Sequence, residues 1–341
     1  MLLRPGVHGE SWQSMLLLPI GCTQKGREQE MTLTPVLLSI APIFLLIVLG
    51  YLLRRNGIPN VDFWNMNDKI VYWVLMPALL FYKTSTAEFS LHLVGSYSIV
   101  IVGGFLAALI FGISSAKLAH LPGDVASSVM QGAARHNAFI ALSVAGSLYG
   151  TTGLSLGALA MAVLIPVTNF AVVPLMVLLN QPAGKGNFLS LVIRDLRRNP
   201  LILSVLAGVA FNLLNVGEIP VLHDTTQLLG NAALPIVLMC VGASLRLREM
   251  RASTLPLALS MLGKFIIFPL VVVMLAHWLG LSKLETMIAI LFSAAPTASS
   301  SYTLARQMGG DAPLMAAITT IQTAVAFLTL PLSLLLIEMY L

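Results

Sequence analysis

The chain has 341 residues, of which 57% are hydrophobic and only 10% charged, and its mean hydropathy is +0.89. A soluble domain carries roughly a quarter charged residues, so this chain cannot cover a water-facing surface and must use lipid as solvent. Its net charge of +5 does not point to nucleic acid: the basic residues lie in short loops between apolar runs, without interleaved aromatics, as cytoplasmic loops of membrane proteins do.

Residues 1–30 are polar and irregular, with one apolar patch from Met15 to Ile20, shorter than the roughly 7–15-residue core of a signal peptide. They are read as a disordered extension or an over-called start ahead of Met31. The rest, 31–341, is one transmembrane domain. About 20 apolar residues cross a bilayer as a helix, and such runs predict spans at 34–53, 65–83, 92–118, 125–149, 153–179, 200–215, 226–245, 254–278, 284–306 and 312–338. Their unbroken apolarity favours helices over barrel strands, which alternate polar and apolar residues. Cys22 and Cys240 have no metal or redox spacing, and Cys240, inside an apolar run, is read as a packed core residue.

Loop charges orient the spans. The loops after the odd-numbered spans hold Arg54, Arg55, Lys117, Lys185, Arg194, Arg197, Arg198, Arg246, Arg248, Arg251 and Arg306, against Lys83 and Lys283 on the other face. This asymmetry places the odd loops in the cytoplasm and both termini on the outer side of the plasma membrane.

The helix-breaking landmarks recur. Pro42 falls on Pro200, Gly50 on Gly208 and Pro77 on Pro235 at an offset of 158; Asn137 falls on Pro296 and Gly150 on Gly309 at 159; Pro174 falls on Pro331 at 157. Two copies of a five-span unit, about 31–180 and 190–341, must be inverted because five is odd. Inverted repeats meeting at a midplane site are an architecture of secondary transporters.

Two spans are interrupted by polar residues. The fourth carries Gln131, Arg135, His136 and Asn137 near its centre; the ninth carries Ser293, Pro296, Thr297, Ser299, Ser300 and Ser301. Pro296 removes a backbone donor and biases Ala295 away from helix, and it suits the first turn of a second half-helix. Asn137 can cap the second half of the fourth span. Broken ends at mid-depth are tolerated where they line a cavity or are buried in protein, and half-helix N-termini can hold an anion. For the ninth span alone, mere kinking and packing stand level with a functional break. They explain the fourth less well, because an arginine at mid-helix is costly and needs a partner or a wet cavity.

No Asp or Glu lies at mid-depth; Asp68, near the start of the second span, comes nearest. The central fixed charges are Arg135 and Lys264 of the eighth span, so the centre is electropositive and favours an anion. Lys264 could instead snorkel, neutralise Asp68 or bind a carbonyl. Pro77 and Pro235 are expected to kink or break helices packed on the crossing pair. Asn67, Asn231, Gln131 and Gln322 are candidate accessory polar contacts.

The stretches from Met31 to Ile58, Val74-LMPALLF, Gln131-GAARHNAFIALSVAGSLYG and Ser293-AAPTASSSYTLARQMGGD together resemble the auxin efflux carrier family, which includes bacterial malate and malonate permeases. The resemblance covers nearly all of 31–341, and the last two stretches are its more specific part. It implies an all-α polytopic fold of ten helices in two inverted five-helix repeats, with broken crossing helices 4 and 9, and transport of an organic anion with Asn137 and Pro296 at the substrate site. The segment 180–199 is short, as in the bacterial permeases rather than the plant carriers. Family members often have a proline at the first crossover, and none lies near Asn137 here.

The expected function is therefore secondary, alternating-access transport of a small organic anion, such as malate, malonate or an auxin-like acid. The expected substrate-binding residues are Arg135, His136, Asn137, Pro296, Thr297, Ser299 and Ser300. No catalytic residue, metal or cofactor is assigned, and H+ or Na+ and a homodimer remain open as partners. A sodium-coupled symporter of a larger anion is the alternative within the class. An intramembrane hydrolase pairing a serine of the ninth span with His136 lacks any G-x-S-x-G or H-E-x-x-H motif.

Overall fold

The computed structural model describes residues 33–87, 91–180, 198–250 and 253–339. The expected extension at 1–30, with Cys22, and the loop basic residues Lys185, Arg194, Arg197 and Arg251 fall outside them. The described residues are all-helical. In chain order they form α1 (Leu33–Arg55), α2 (Val61–Ile70), a π-helical turn (Val71–Leu75), α3 (Met76–Ser85), α4 (Leu91–Leu118), α5 (Gly123–Ala134), α6 (Ala138–Asn180), α7 (Pro200–Leu213) and α8 (Leu222–Ser244). There follow α9 (Thr254–Leu262), a second π-helical turn (Gly263–Ile267), α10 (Phe268–Trp278), α11 (Lys283–Ala294), α12 (Ser300–Gln307) and α13 (Ala312–Glu338).

Six helical runs among the described residues are long and apolar enough to cross a membrane: 33–55, 94–118, 123–180, 222–244, 254–278 and 312–338. The third has 58 residues, which at about 1.5 Å per residue far exceeds one bilayer crossing. It is interrupted after Ala134, and the chain turns again at Gly150, whose φ of 59° and ψ of −140° no helix contains. Only glycine takes that conformation without strain. The remaining predicted spans are 65–83, which the structure divides among α2, the first π turn and α3; 200–215, shortened to the 14 residues of α7; and 284–306, broken between α11 and α12.

Both π turns end two residues before a proline, Leu75 before Pro77 and Ile267 before Pro269. A proline offers no N–H and its ring crowds the carbonyl four residues back; widening that turn relieves the clash and keeps the helix going. Pro77 thus distorts its helix as expected. Pro235 lies inside an unbroken α8.

Small residues set the closest helix contacts. A β-carbon at Gly50 of α1 would overlap the Met239 carbonyl of α8, and one at Gly242 would overlap the Ile47 carbonyl. A β-carbon at Gly208 of α7 would overlap Thr84 Oγ1 and lie 2.8 Å from the Phe81 carbonyl of α3. Close backbone approach through small residues is how helices associate where lipid removes the hydrophobic drive between them. The largest buried cluster, including Ile40, Phe105, Ile140, Met161, Phe292 and Leu330, packs α1, α4 and α13 against α6 and α11 of the two interrupted helices.

Candidate functional site

α5 ends where Arg135 turns to extended backbone, with φ of −68° and ψ of 141°. α11 ends the same way at Ala295, with φ of −62° and ψ of 142°. Each of these half-helices is 12 residues long, and their ends match at an offset of 160, one more than the sequence landmarks suggested. Beyond the first break, the Asn137 side chain accepts hydrogen bonds from the Phe139 and Ile140 N–H groups, both at 3.2 Å, and so caps α6 as expected. Beyond the second, α12 starts only at Ser300. Pro296 therefore lies inside the break rather than in the first turn of a half-helix. Thr297 holds it there: its N–H donates to Gln322 Oε1 at 2.9 Å, and its hydroxyl lies within hydrogen-bond distance of Gln322 Oε1 and the Gly132 carbonyl.

The two breaks touch. The Asn137 N–H donates to the Pro296 carbonyl at 2.6 Å, and Gln322 Nε2 donates to the Gly132 carbonyl at 3.0 Å. The Lys264 ammonium donates to the Ala134 carbonyl at 3.3 Å and sits 4.8 Å from the centre of the Phe268 ring. Of the three readings of Lys264, the structure thus takes the carbonyl. Arg135 spans both crossing helices, donating from Nη1 to Gln131 Oε1 at 3.3 Å and from Nη2 to Ser300 Oγ at 3.1 Å.

A cavity of about 630 Å³ adjoins the breaks, large enough for a small carboxylic acid. Arg135, His136, Asn137, Ser299, Ser300 and Asp68 line it. Pro296, Thr297, Gln131, Gln322 and Lys264 do not: Thr297, Gln322 and Lys264 bond the backbone at the breaks, and Gln131 holds Arg135. Asn231 lies on the exposed face of α8, away from the cavity. Asp68 faces the Cys240 thiol as a hydrogen-bond partner, so Cys240 is packed, as expected, and also part of the cavity wall. The sequence reading missed Thr168, Asn169 and Asn199. Thr168 and Asn169 are an adjacent polar pair in an apolar run, and Asn199 before Pro200 is an N-cap signature that the structure realises through bonds from the Leu201 and Ile202 N–H groups.

Several buried polar atoms at the site have no protein partner among the described residues: Arg135 Nε, His136 Nδ1, Thr168 Oγ1 and Ser299 Oγ. No carboxylate pairs with Arg135 or Lys264 there either. Buried polar groups are ordinarily satisfied, and a buried guanidinium without a counter-charge is costly. The arrangement can therefore receive an anion with several hydrogen-bonding oxygens. Of the first amides of α6, those of Phe139 and Ile140 are occupied by the Asn137 side chain, while Arg135 and Ala138 line the cavity beside them.

The described residues are all-helical, with six runs long and apolar enough to cross a membrane and a cavity beside two interrupted helices, as the class of membrane transporters requires. A family model described as "Membrane transport protein" matches residues 35–334, and the chain belongs to this family, that of the auxin efflux carriers. It is 22% identical over 303 residues to an "Uncharacterized transporter" of Methanothermobacter thermautotrophicus, covering 86% of this chain and 96% of that protein. It is 30% identical over 295 residues to a "Putative malonate transporter" of Rhizobium meliloti, covering 79% of this chain and 86% of that protein.

Proposed function

We propose that the protein is a secondary carrier for a small carboxylate, with a dicarboxylate such as malonate or malate, or an auxin-like acid, as its substrate. Arg135 would bind the carboxylate by its guanidinium, with His136, Asn137, Ser299 and Ser300 contributing hydrogen bonds. The observation that carries this reading is the Arg135 side chain, buried at the edge of the cavity with its Nε unpartnered and no carboxylate paired with it among the described residues. The name of the malonate relative supports the substrate class.

On this reading ten spans form two inverted five-helix repeats. The contacts of Gly50 with Met239 and of Gly208 with Phe81 support it, since both partners are displaced by the same 158 residues with the roles of the two halves exchanged. Alternating access would move the crossing helices against the α1, α3, α7 and α8 layer. The cavity wall includes Asn199 at the start of α7 and Ser244 at the end of α8, both on the end of the molecule that bears the arginine-rich loops. With those loops cytoplasmic, this is the inward-facing state, and both termini lie outside.

The test is thermal unfolding of the purified protein with a panel of carboxylates and matched inorganic salts, since a ligand of the folded state raises its apparent stability. A carboxylate that raises the midpoint in wild type but not in Arg135→Ala is the expected result. A panel in which no carboxylate stabilises the wild type would sink the reading.

A further inference from the structure

Lys264 is wholly buried, yet it does not line the cavity. Its placement is specific. Gly263 brings the eighth predicted span against Ala133, where a β-carbon would lie 2.5 Å from the Ala133 β-carbon. The π turn beginning at Gly263 then aims the Lys264 ammonium at the Ala134 carbonyl, the last of α5. That carbonyl is one of those left without an intrahelical partner where α5 stops. The end of a half-helix carries partial negative charge, and in carriers with broken helices such carbonyls are where a coupling Na+ is coordinated. The same end has its Gly132 carbonyl bonded by Thr297 and Gln322. Two of the acceptors that would attract a metal cation, the Gly132 and Ala134 carbonyls, are thus occupied by the chain's own donors, one of them the Lys264 amine. Ala134, whose carbonyl it holds, directly precedes Arg135 and His136, which line the cavity, so a charge on Lys264 would act on an anion bound there.

Resting on the carrier reading, we propose that Lys264 is a tethered cation: it stands where a coupling Na+ would bind at the end of α5, holds the first break open, and charges the site for an anion without Na+. Lys264 is a positioning residue and touches no substrate. A plain structural lock between α5 and the π turn would need the hydrogen bond but not the charge, and this difference can be measured.

The experiment is thermal unfolding of the full purified chain in NaCl, KCl and choline chloride at equal ionic strength, with no carboxylate present, so that it reads cation binding whether or not the carrier reading survives. Wild type is expected to unfold within about 1 °C in all three salts. Lys264→Ala is expected to unfold at lower temperature and to recover part of the loss, saturably, with Na+ but not with choline. A saturable Na+-specific stabilisation of wild type would overturn the proposal. So would a Lys264→Ala protein whose midpoint ignores all three cations. Should that variant not fold, the wild-type comparison still decides, and Lys264→Gln, which keeps a donor and loses the charge, provides the second arm: recovery by Na+ supports the tethered charge, and wild-type stability without any cation response supports the structural lock.

Discussion

The Asn137 N–H and the Pro296 carbonyl meet at 2.6 Å, so each helix interruption supplies what the other lacks. An N–H released by the first break is satisfied by a carbonyl released in the second. Neither break needs water for these two groups, and separating them would leave both unpaired in a low-dielectric interior, at a cost of about 1–3 kcal/mol for each. The crossing point is therefore a mutual cap, and its integrity should govern the shape of the cavity beside it.

Pro296→Ala tests what keeps the second break open. Proline disfavours a helix interior by about 3 kcal/mol relative to alanine. Against continued helix stand the bonds from Thr297 to Gln322 and Gly132, each contributing about 1 kcal/mol. Removing the proline brings these terms to near balance, so the variant should populate an extended α11. Uptake of the stabilising carboxylate into membrane vesicles is expected to fall about tenfold, the equivalent of about 1.4 kcal/mol, with protein abundance maintained. Unchanged uptake would mean that Thr297 and Gln322 hold the break by themselves.

Arg135 bridges Gln131 and Ser300, a planar, two-ended task that lysine cannot reproduce. Arg135→Lys should keep a charge at the site yet lose most of the affinity for a carboxylate, and Arg135→Ala should lose it all. Since the wild-type guanidinium has no counter-charge among the described residues, its removal relieves a buried charge, and the ligand-free variant should unfold no earlier than wild type. Titrating carboxylate-induced stabilisation in all three proteins checks this. Full affinity in Arg135→Lys would show that charge alone is recognised.

The two interruptions and their charged residues were legible because polar groups in a long apolar run have few innocuous explanations. Helix packing at Gly50 and Gly208 was visible as a repeated landmark, though not as a contact. Other features left no such trace. Pro296 looked like the start of a helix because the tether from Thr297 to Gln322 joins residues 25 apart in sequence. Asn231 looked like an interior contact, but a span of this length buries only one stripe, and the side on which a single asparagine falls depends on its neighbours. Thr168 and Asn169 were overlooked because they lie in a run without a break, and they matter only because the fold brings that turn of α6 to the cavity.

Cys240 offers a chemical reading of cavity occupancy. It is the free cysteine among the described residues, it is buried, and it lines the cavity beside Asp68. In a Cys22→Ser background, a small methanethiosulfonate should label Cys240 slowly, and faster from the cytoplasmic face of oriented vesicles than from the other. A saturating carboxylate should slow labelling several-fold by filling the cavity. Faster labelling from the outer face would reverse the assigned access of this state, and labelling indifferent to every carboxylate that binds would place the ligand elsewhere.

Gly50→Ala and Gly208→Ala test the relationship between the two halves of the chain. At both positions the obstacle to a β-carbon includes the backbone of the neighbouring helix, Met239 for one and Phe81 for the other, and backbone cannot rotate away as a side chain can. Overpacking of this kind costs about 1–3 kcal/mol, which exceeds the gain of about 1 kcal/mol that alanine brings over glycine in a helix. Both variants should therefore be destabilised, and by similar amounts. Gly95→Ala is the control, because its β-carbon meets nothing within 4 Å and only the helix-propensity gain remains. Denaturation midpoints in one detergent provide the comparison. If Gly50→Ala is destabilised and Gly208→Ala behaves like Gly95→Ala, the contact is not repeated, and the symmetry argued for the fold loses its strongest physical support.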